Sequence, residues 1–267
     1  MLTRVISALI GLAIVVPILV FGGTLGLSIL VGVVVVICQM EFVSMSPVGS
    51  ARWLRVFEIV AGLSIYGLMQ LGTPIPLLLA ISFSIIATFF AHMATLEPME
   101  TSATRWAFTV AGLMYVPFLL GFLPLLRGVD HGLNWIFLVL IITWAGDSGA
   151  YFAGRAFGKH KLHEKISPKK TIEGVAGGAV FSVFGALVAR ATFFPELSVF
   201  DCLIIAPIAD LVGVAGDLSE SLLKRVAGVK DSGNIMPGHG GLLDRVDSLL
   251  FSAPVVFGYA VLIFGRF

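Results

Sequence analysis

Ser221-Leu-Leu-Lys224-Arg225, then Lys230-Asp231-Ser-Gly233, then Pro237-Gly-His239-Gly240-Gly241-Leu-Leu-Asp244-Arg245-Val-Asp247, form a polar passage between two long apolar runs. From Ser221 to Asp247, Gly228 included, the passage holds five cations or potential cations, three carboxylates and five glycines. At a membrane boundary such a mixture is costly unless it binds something. Basic groups suit phosphate oxygens, glycines let the backbone approach a ligand, and Asp244 with Asp247 at i, i+3 can share one face of a helical start. The combination reads as a site for metal-bound phosphate.

Outward from this passage the chain is apolar almost throughout. Hydrophobic residues make up 58% of the 267 and charged ones 12%, and the mean hydropathy of +1.01 lies far outside soluble usage. Runs of helix-spanning length occur near 4–21, 25–43, 54–71, 75–95, 104–126, 134–154, 173–191, 200–221 and 247–266. They lack the alternation of a membrane barrel, so strands are not expected. The expected fold is an all-α integral membrane protein with about nine transmembrane helices. It reads as a single polytopic membrane domain over 1–267, in which 1–133 is a helical scaffold and 134–267 a catalytic region with two motif-bearing loops. The first run offers no small-x-small cleavage site after Pro17 and reads as a retained helix. Cys38 and Cys202 lie inside apolar runs and read as packing residues.

Basic residues orient the chain, because Lys and Arg collect on the cytoplasmic side. With nine spans, Arg4, Arg52, Arg55, Arg105, the cluster from Arg155 to Lys170, and Lys224, Arg225, Lys230 and Arg245 share the side of the N-terminus. Only Arg127, Arg190 and Arg266, of 17 in all, fall on the other. The N-terminus and both polar loops are therefore expected to be cytoplasmic, in what reads as a bacterial cytoplasmic (inner) membrane with the active site facing the cytoplasm. The net charge of +1 carries little information, and no nucleic-acid partner is expected.

A second constellation precedes the first: Trp144-Ala-Gly-Asp147-Ser-Gly-Ala-Tyr151-Phe-Ala-Gly154-Arg155, Gly158-Lys-His-Lys161-Leu and Ser167-Pro-Lys169-Lys170-Thr171-Ile-Glu173-Gly174. Asp147 and Tyr151 fall on one helical face, and the basic loop after them can hold a polyanion such as a nucleoside triphosphate. Ser167 to Glu173 looks like a helix entry, with Thr171 as cap and Glu173 in the first turn, so its charge is partly structural. Alone, the loop is more simply a positive-inside determinant. Asp147, Asp210, Asp217, Asp244 and Asp247 shift the balance, since carboxylates in or at the ends of spanning helices are rare without partners. For Asp210, deeper in its helix, an interhelix hydrogen bond or ion pair competes with ligation.

Both constellations closely resemble the phosphatidate cytidylyltransferases, also called CDP-diacylglycerol synthases, with Met236 where another large apolar residue is usual. The resemblance implies transfer of a cytidylyl group from CTP to phosphatidic acid. Asp217 and Asp244 then resemble the family's metal-binding pair for Mg2+, a second cation being open. Asp247 is a third ligand, a supporting group, or a salt-bridge partner of Arg245 or Lys224. Lys224, Arg225, Lys230 and Arg245 would bind phosphates, His239 would donate to phosphate or pack a turn, and Asp147, Tyr151, Lys161, Ser167, Lys169, Lys170, Ser221, Asp231, Gly240 and Gly241 complete the expected substrate site. A homodimer surface on the first-half helices is an open alternative. So are other functions: a transporter, although its polar groups would run through the membrane depth; a CTP-dependent polyisoprenol or phytol kinase, which would transfer the γ-phosphate; and a purely structural membrane protein.

Overall fold

In a computed structural model, residues 2–46, 52–95, 98–236 and 240–264 are described. The helices are α1 (Leu2–Phe21), α2 (Gly23–Ser44), α3 (Arg52–Gln70), α4 (Pro74–Met93), α5 (Met99–Leu113), α6 (Phe122–Gly128), α7 (Gly132–Phe157), α8 (Ile172–Thr192), α9 (Val199–Val226) and α10 (Leu243–Leu262), with a π-helical turn at Met114–Phe118 between α5 and α6. The π turn contains Pro117, which has no N–H to give to a regular ladder, and the widened turn carries one continuous apolar stretch over Met99–Gly128. Each of the nine expected runs thus corresponds to helix among the described residues. Among the described residues, seven helical stretches are long and apolar enough to cross a membrane. The other two are α3, diluted by Arg52, Arg55 and Glu58, and α1, with a shorter apolar segment at Gly11–Phe21. The chain is an all-α integral membrane protein.

Two departures from the sequence reading concern the polar passages. First, a small antiparallel hairpin, β1 (Lys161–His163) with β2 (Ser167–Thr171), stands where only loop and helix entry were expected. Alternation was sought in the spans, whereas these strands lie in the basic connection, and the helix begins only at Ile172. Second, α9 runs on to Val226 and α10 starts at Leu243. Ser221, Lys224, Arg225, Asp244, Arg245 and Asp247 therefore sit on helical turns. Lys224 and Arg225 in the last turn and Asp244 in the first complement the helix dipoles.

The chain forms two compact units, Met1–Pro124 with Val226–Arg245, and Leu125–Arg225 with Val246–Phe267. In the first, Ala61, Ile65 and Leu113 form a buried cluster against Leu77, Ile81 and Phe118, and Phe42 stacks on Phe108 at 4.6 Å. Buried polar side chains stitch its helices. Gln39 Nε2 donates to Glu58 O at 2.7 Å, Tyr66 OH to Ser28 O at 2.6 Å, and Thr109 Oγ1 to Glu58 Oε1 at 2.6 Å, with His92 Nε2 3.0 Å from the same hydroxyl. Such bonds satisfy groups that lipid cannot.

In the second unit, α7 and α8 approach closely through small residues. A Cβ on Gly149 would strike Phe181 and the Gly177 carbonyl, and one on Gly177 would strike Ala153, the close backbone contact that small residues permit in a membrane. Ser252 Oγ of α10 donates to Ala209 O of α9 at 2.9 Å. Trp135, fully buried, makes edge contacts with Phe194 and Phe264 at 4.9 and 5.0 Å. Cys38 and Cys202 are buried and form no disulfide among the described residues, as packing residues should be.

Candidate functional site

The second unit contains a cavity of ≈ 350 Å³ lined by Asp147, Tyr151, Gly154, Arg155, Lys169, Lys170, Thr171 and Gly174, with Ala150, Val175 and Val214. Four of the expected substrate residues, Asp147, Tyr151, Lys169 and Lys170, thus face one space. Helical spacing sets Asp147, Tyr151 and Arg155 along α7, where Arg155 Nη1 donates to Tyr151 OH at 3.0 Å. Thr171 ends β2 and caps α8, its Oγ1 accepting from Gly174 N at 3.1 Å, as the sequence predicts. Glu173 ties the loop down. Its carboxylate accepts the Lys159 N–H at 3.1 Å and the His160 N–H at 3.2 Å, and meets His160 Nδ1 at 2.6 Å.

Lys170 Nζ lies 2.6 Å from Asp217 Oδ2, joining the basic loop to the carboxylate singled out on α9, and Ser221 Oγ donates to Asp217 Oδ1 at 3.3 Å. Asp247 Oδ1 accepts the Ser248 N–H at 2.7 Å. Asp210, two turns before Asp217, is buried against Gly146 and Gly178, with Oδ2 lacking a hydrogen-bond partner among the described residues. Lys224 is largely buried and ion-paired with Glu220 one turn earlier. Arg225 Nε donates to Ile166 O at 3.3 Å, the connection between β1 and β2. Lys161 and Ser167 fall on the hairpin away from the cavity lining, and Lys161 Nζ bonds Pro168 O at 2.7 Å.

In the first unit the signature folds over a carboxylate that the sequence reading passed by. Glu41, the one acidic residue of α2 and 7% exposed, accepts the Leu242 N–H on Oε1 at 3.0 Å and the Leu243 N–H on Oε2 at 2.8 Å. Ser232 Oγ also lies 3.3 Å from Oε2, its hydroxyl hydrogen being shared with the nearer Asp244. Its signal was present: a lone carboxylate inside a spanning run calls for a partner. Asp244 Oδ2 accepts the Ser232 N–H, the Ser232 hydroxyl and the Gly241 N–H, each at 2.9 Å. Met236 N donates to Gly240 O at 3.0 Å, and Gly240 turns the chain with φ +83°, a conformation side chains disfavour. Asp231 packs beside Gly240. His239 lies outside the described residues. Lys230 is exposed, and Arg245 occupies the first turns of α10.

In the second unit Asp217 and Asp247, and in the first Asp244, carry hard carboxylate oxygens of the kind a divalent cation takes. Among the described residues no three acidic, His or Cys side chains already cluster as a ligand cage. Mg2+ is commonly held by only one or two carboxylates, with water and substrate phosphate completing its shell.

Over 259 residues, 96% of this chain and 97% of theirs, the chain is 34% identical to the phosphatidate cytidylyltransferase of Staphylococcus saprophyticus and 36% identical to that of Staphylococcus aureus. With the Bacillus subtilis enzyme of the same name it shares 46% identity over 133 residues, 49% of each chain. The family described as the cytidylyltransferase family matches over residues 2–263. With that match spanning both units and both polar passages, the chain belongs to the cytidylyltransferase family, whose members are nucleotidyl-transferring enzymes.

Proposed function

We propose that the protein is a CTP:phosphatidate cytidylyltransferase, converting CTP and phosphatidic acid to CDP-diacylglycerol and pyrophosphate. The observation that carries the reading is the convergence of Asp147, Tyr151, Lys169 and Lys170 on one cavity, with Lys170 bridging to Asp217, in a chain similar along nearly its whole length to phosphatidate cytidylyltransferases. A phosphate monoester oxygen of the lipid attacks the α-phosphorus of CTP, the bond to the β-phosphate oxygen breaks, and pyrophosphate leaves. The attacking phosphate is largely ionised near neutral pH, so little deprotonation is needed. No covalent enzyme intermediate is required.

The chain's work is positioning and electrostatics. Lys169, Lys170 and Arg155 supply positive charge to the triphosphate around the cavity. Arg225, Lys230 and Arg245, with His239, are assigned to phosphate oxygens of nucleotide or lipid, Arg being able to grip two at once. Lys224, held by Glu220, contributes charge from a fixed position. Asp217, Asp244 and Asp247 are the proposed Mg2+ ligands, and the ion would neutralise triphosphate charge when bound. The reading puts the active site at the cytoplasmic face of a bacterial inner membrane, which the distribution of Lys and Arg supports, with the acyl chains entering laterally from the bilayer.

Purified protein in liposomes containing phosphatidic acid, supplied with CTP and Mg2+, is expected to form a chloroform-soluble CDP-lipid with one pyrophosphate released per lipid. Phosphatidic acid left unconverted by folded protein would refute the reading.

A further inference from the structure

We infer that Glu41 is a positioning residue that seats the signature passage and, through it, sets the aim of Asp244; this rests on the cytidylyl-transfer reading above. Glu41 lies on α2, about 200 residues from its partners, as the one charged residue of that helix. Its two oxygens take the N–H groups of Leu242 and Leu243 where α10 begins. These are donors that a helix start leaves without intrahelical partners, and a negative charge there is favoured by the dipole. The carboxylate of another helix thus does the work a local capping side chain usually does.

The contact extends to the next carboxylate. Ser232 Oγ stands 3.3 Å from Glu41 Oε2 and 2.9 Å from Asp244 Oδ2. Its backbone N–H and that of Gly241 also bind Asp244 Oδ2, both at 2.9 Å. Asp244 is therefore aimed by Ser232, whose hydroxyl reaches Glu41, and by Gly241, which packs against the Glu41 carboxylate just before the bonded Leu242 and Leu243. The seat admits no extra atoms: a Cβ on Gly233 or Gly241 would run into the Glu41 carboxylate. Glu41 itself reaches backbone and hydroxyl, so it acts through Asp244 and not on substrate.

Replacing Glu41 by Gln keeps the shape but swaps one acceptor for an NH2 that faces backbone donors. The expected result in folded Glu41→Gln is faster amide exchange at Leu242 and Leu243 without substrate, with kcat lowered about tenfold or more and the KM for CTP within about threefold, since a misplaced group is felt chiefly in the transition state. Unchanged exchange, or a wild-type kcat in folded protein, would overturn the assignment. A merely structural contact would lower the yield or melting temperature and leave kcat per folded molecule intact, which also overturns it. Should Glu41→Gln fail to fold, Ser232→Ala decides: kcat lowered severalfold at an unchanged melting temperature supports the assignment, and a wild-type kcat removes it. If the wild-type protein makes no CDP-lipid, the cytidylyl-transfer reading falls separately, and exchange at Leu242 and Leu243 still judges the Glu41 seat.

Discussion

Asp217 illustrates how a single side chain joins the two polar constellations, since it accepts Ser221 from its own helix and pairs with Lys170 from the basic loop. Replacing Asp217 or Asp244 by Asn preserves size and one carbonyl oxygen but removes the charge. Either change is expected to lower CDP-lipid formation by about a hundredfold or more with normal membrane insertion, as loss of a charge-neutralising contact does. Magnesium titration of the purified variants checks this, and turnover within a few-fold of wild type in both would remove the proposed metal ligands. Lys170→Gln should weaken turnover by about tenfold or more, because it takes a cation both from the cavity and from Asp217; steady-state kinetics at saturating CTP reads it. At this scale the sequence exposed residues whose chemistry is unusual for their surroundings: carboxylates at span ends, cations between glycines, Thr171 before a helix. It did not expose partners far apart in the chain, and so the Glu41 seat went unseen; the Glu220–Lys224 pair, one turn apart on α9, was within reach of helical i, i+4 spacing and was passed over.

Among the elements, the α7–α8 pair holds the cavity, and its precision comes from small residues. Gly177→Val would push a branched side chain into Ala153 and the α7 backbone, and overpacking of this kind costs about 1–3 kcal/mol. The expected outcome is a lowered melting temperature together with lost turnover, measured by thermal unfolding in detergent. Thr171→Ala removes the bond to the Gly174 N–H, a loss of about 1 kcal/mol at a helix N-cap, and should show as a smaller shift in the same measurement. All nine apolar runs were legible as helices because lipid leaves the backbone no alternative. The end of α9 was not, since hydropathy falls at the first charged residue while the hydrogen-bond ladder continues past it, nor was the β1–β2 hairpin in the basic connection, whereas the helical start at Asp244 and Asp247 was read from their spacing.

For the whole molecule, the distribution of Lys and Arg predicts that reporters at the N-terminus and in the loops near Lys161 and Lys230 are cytoplasmic and that one after Phe267 is external. Finding Lys161 and Lys230 on opposite sides would contradict the proposed orientation. Family membership was legible from residues 144–247, where chemistry constrains the side chains, while the first half of the chain showed only apolar helices until the Glu41 contacts gave α2 a connection to the signature. The central claim is that the cytidylyl group, and not the terminal phosphate, moves to the lipid. Purified protein in liposomes of phosphatidic acid, given CTP labelled in either its α- or its γ-phosphate, tests this directly. The account predicts α-label in the chloroform-soluble lipid and γ-label in released pyrophosphate; γ-label in the lipid would identify a kinase and contradict it.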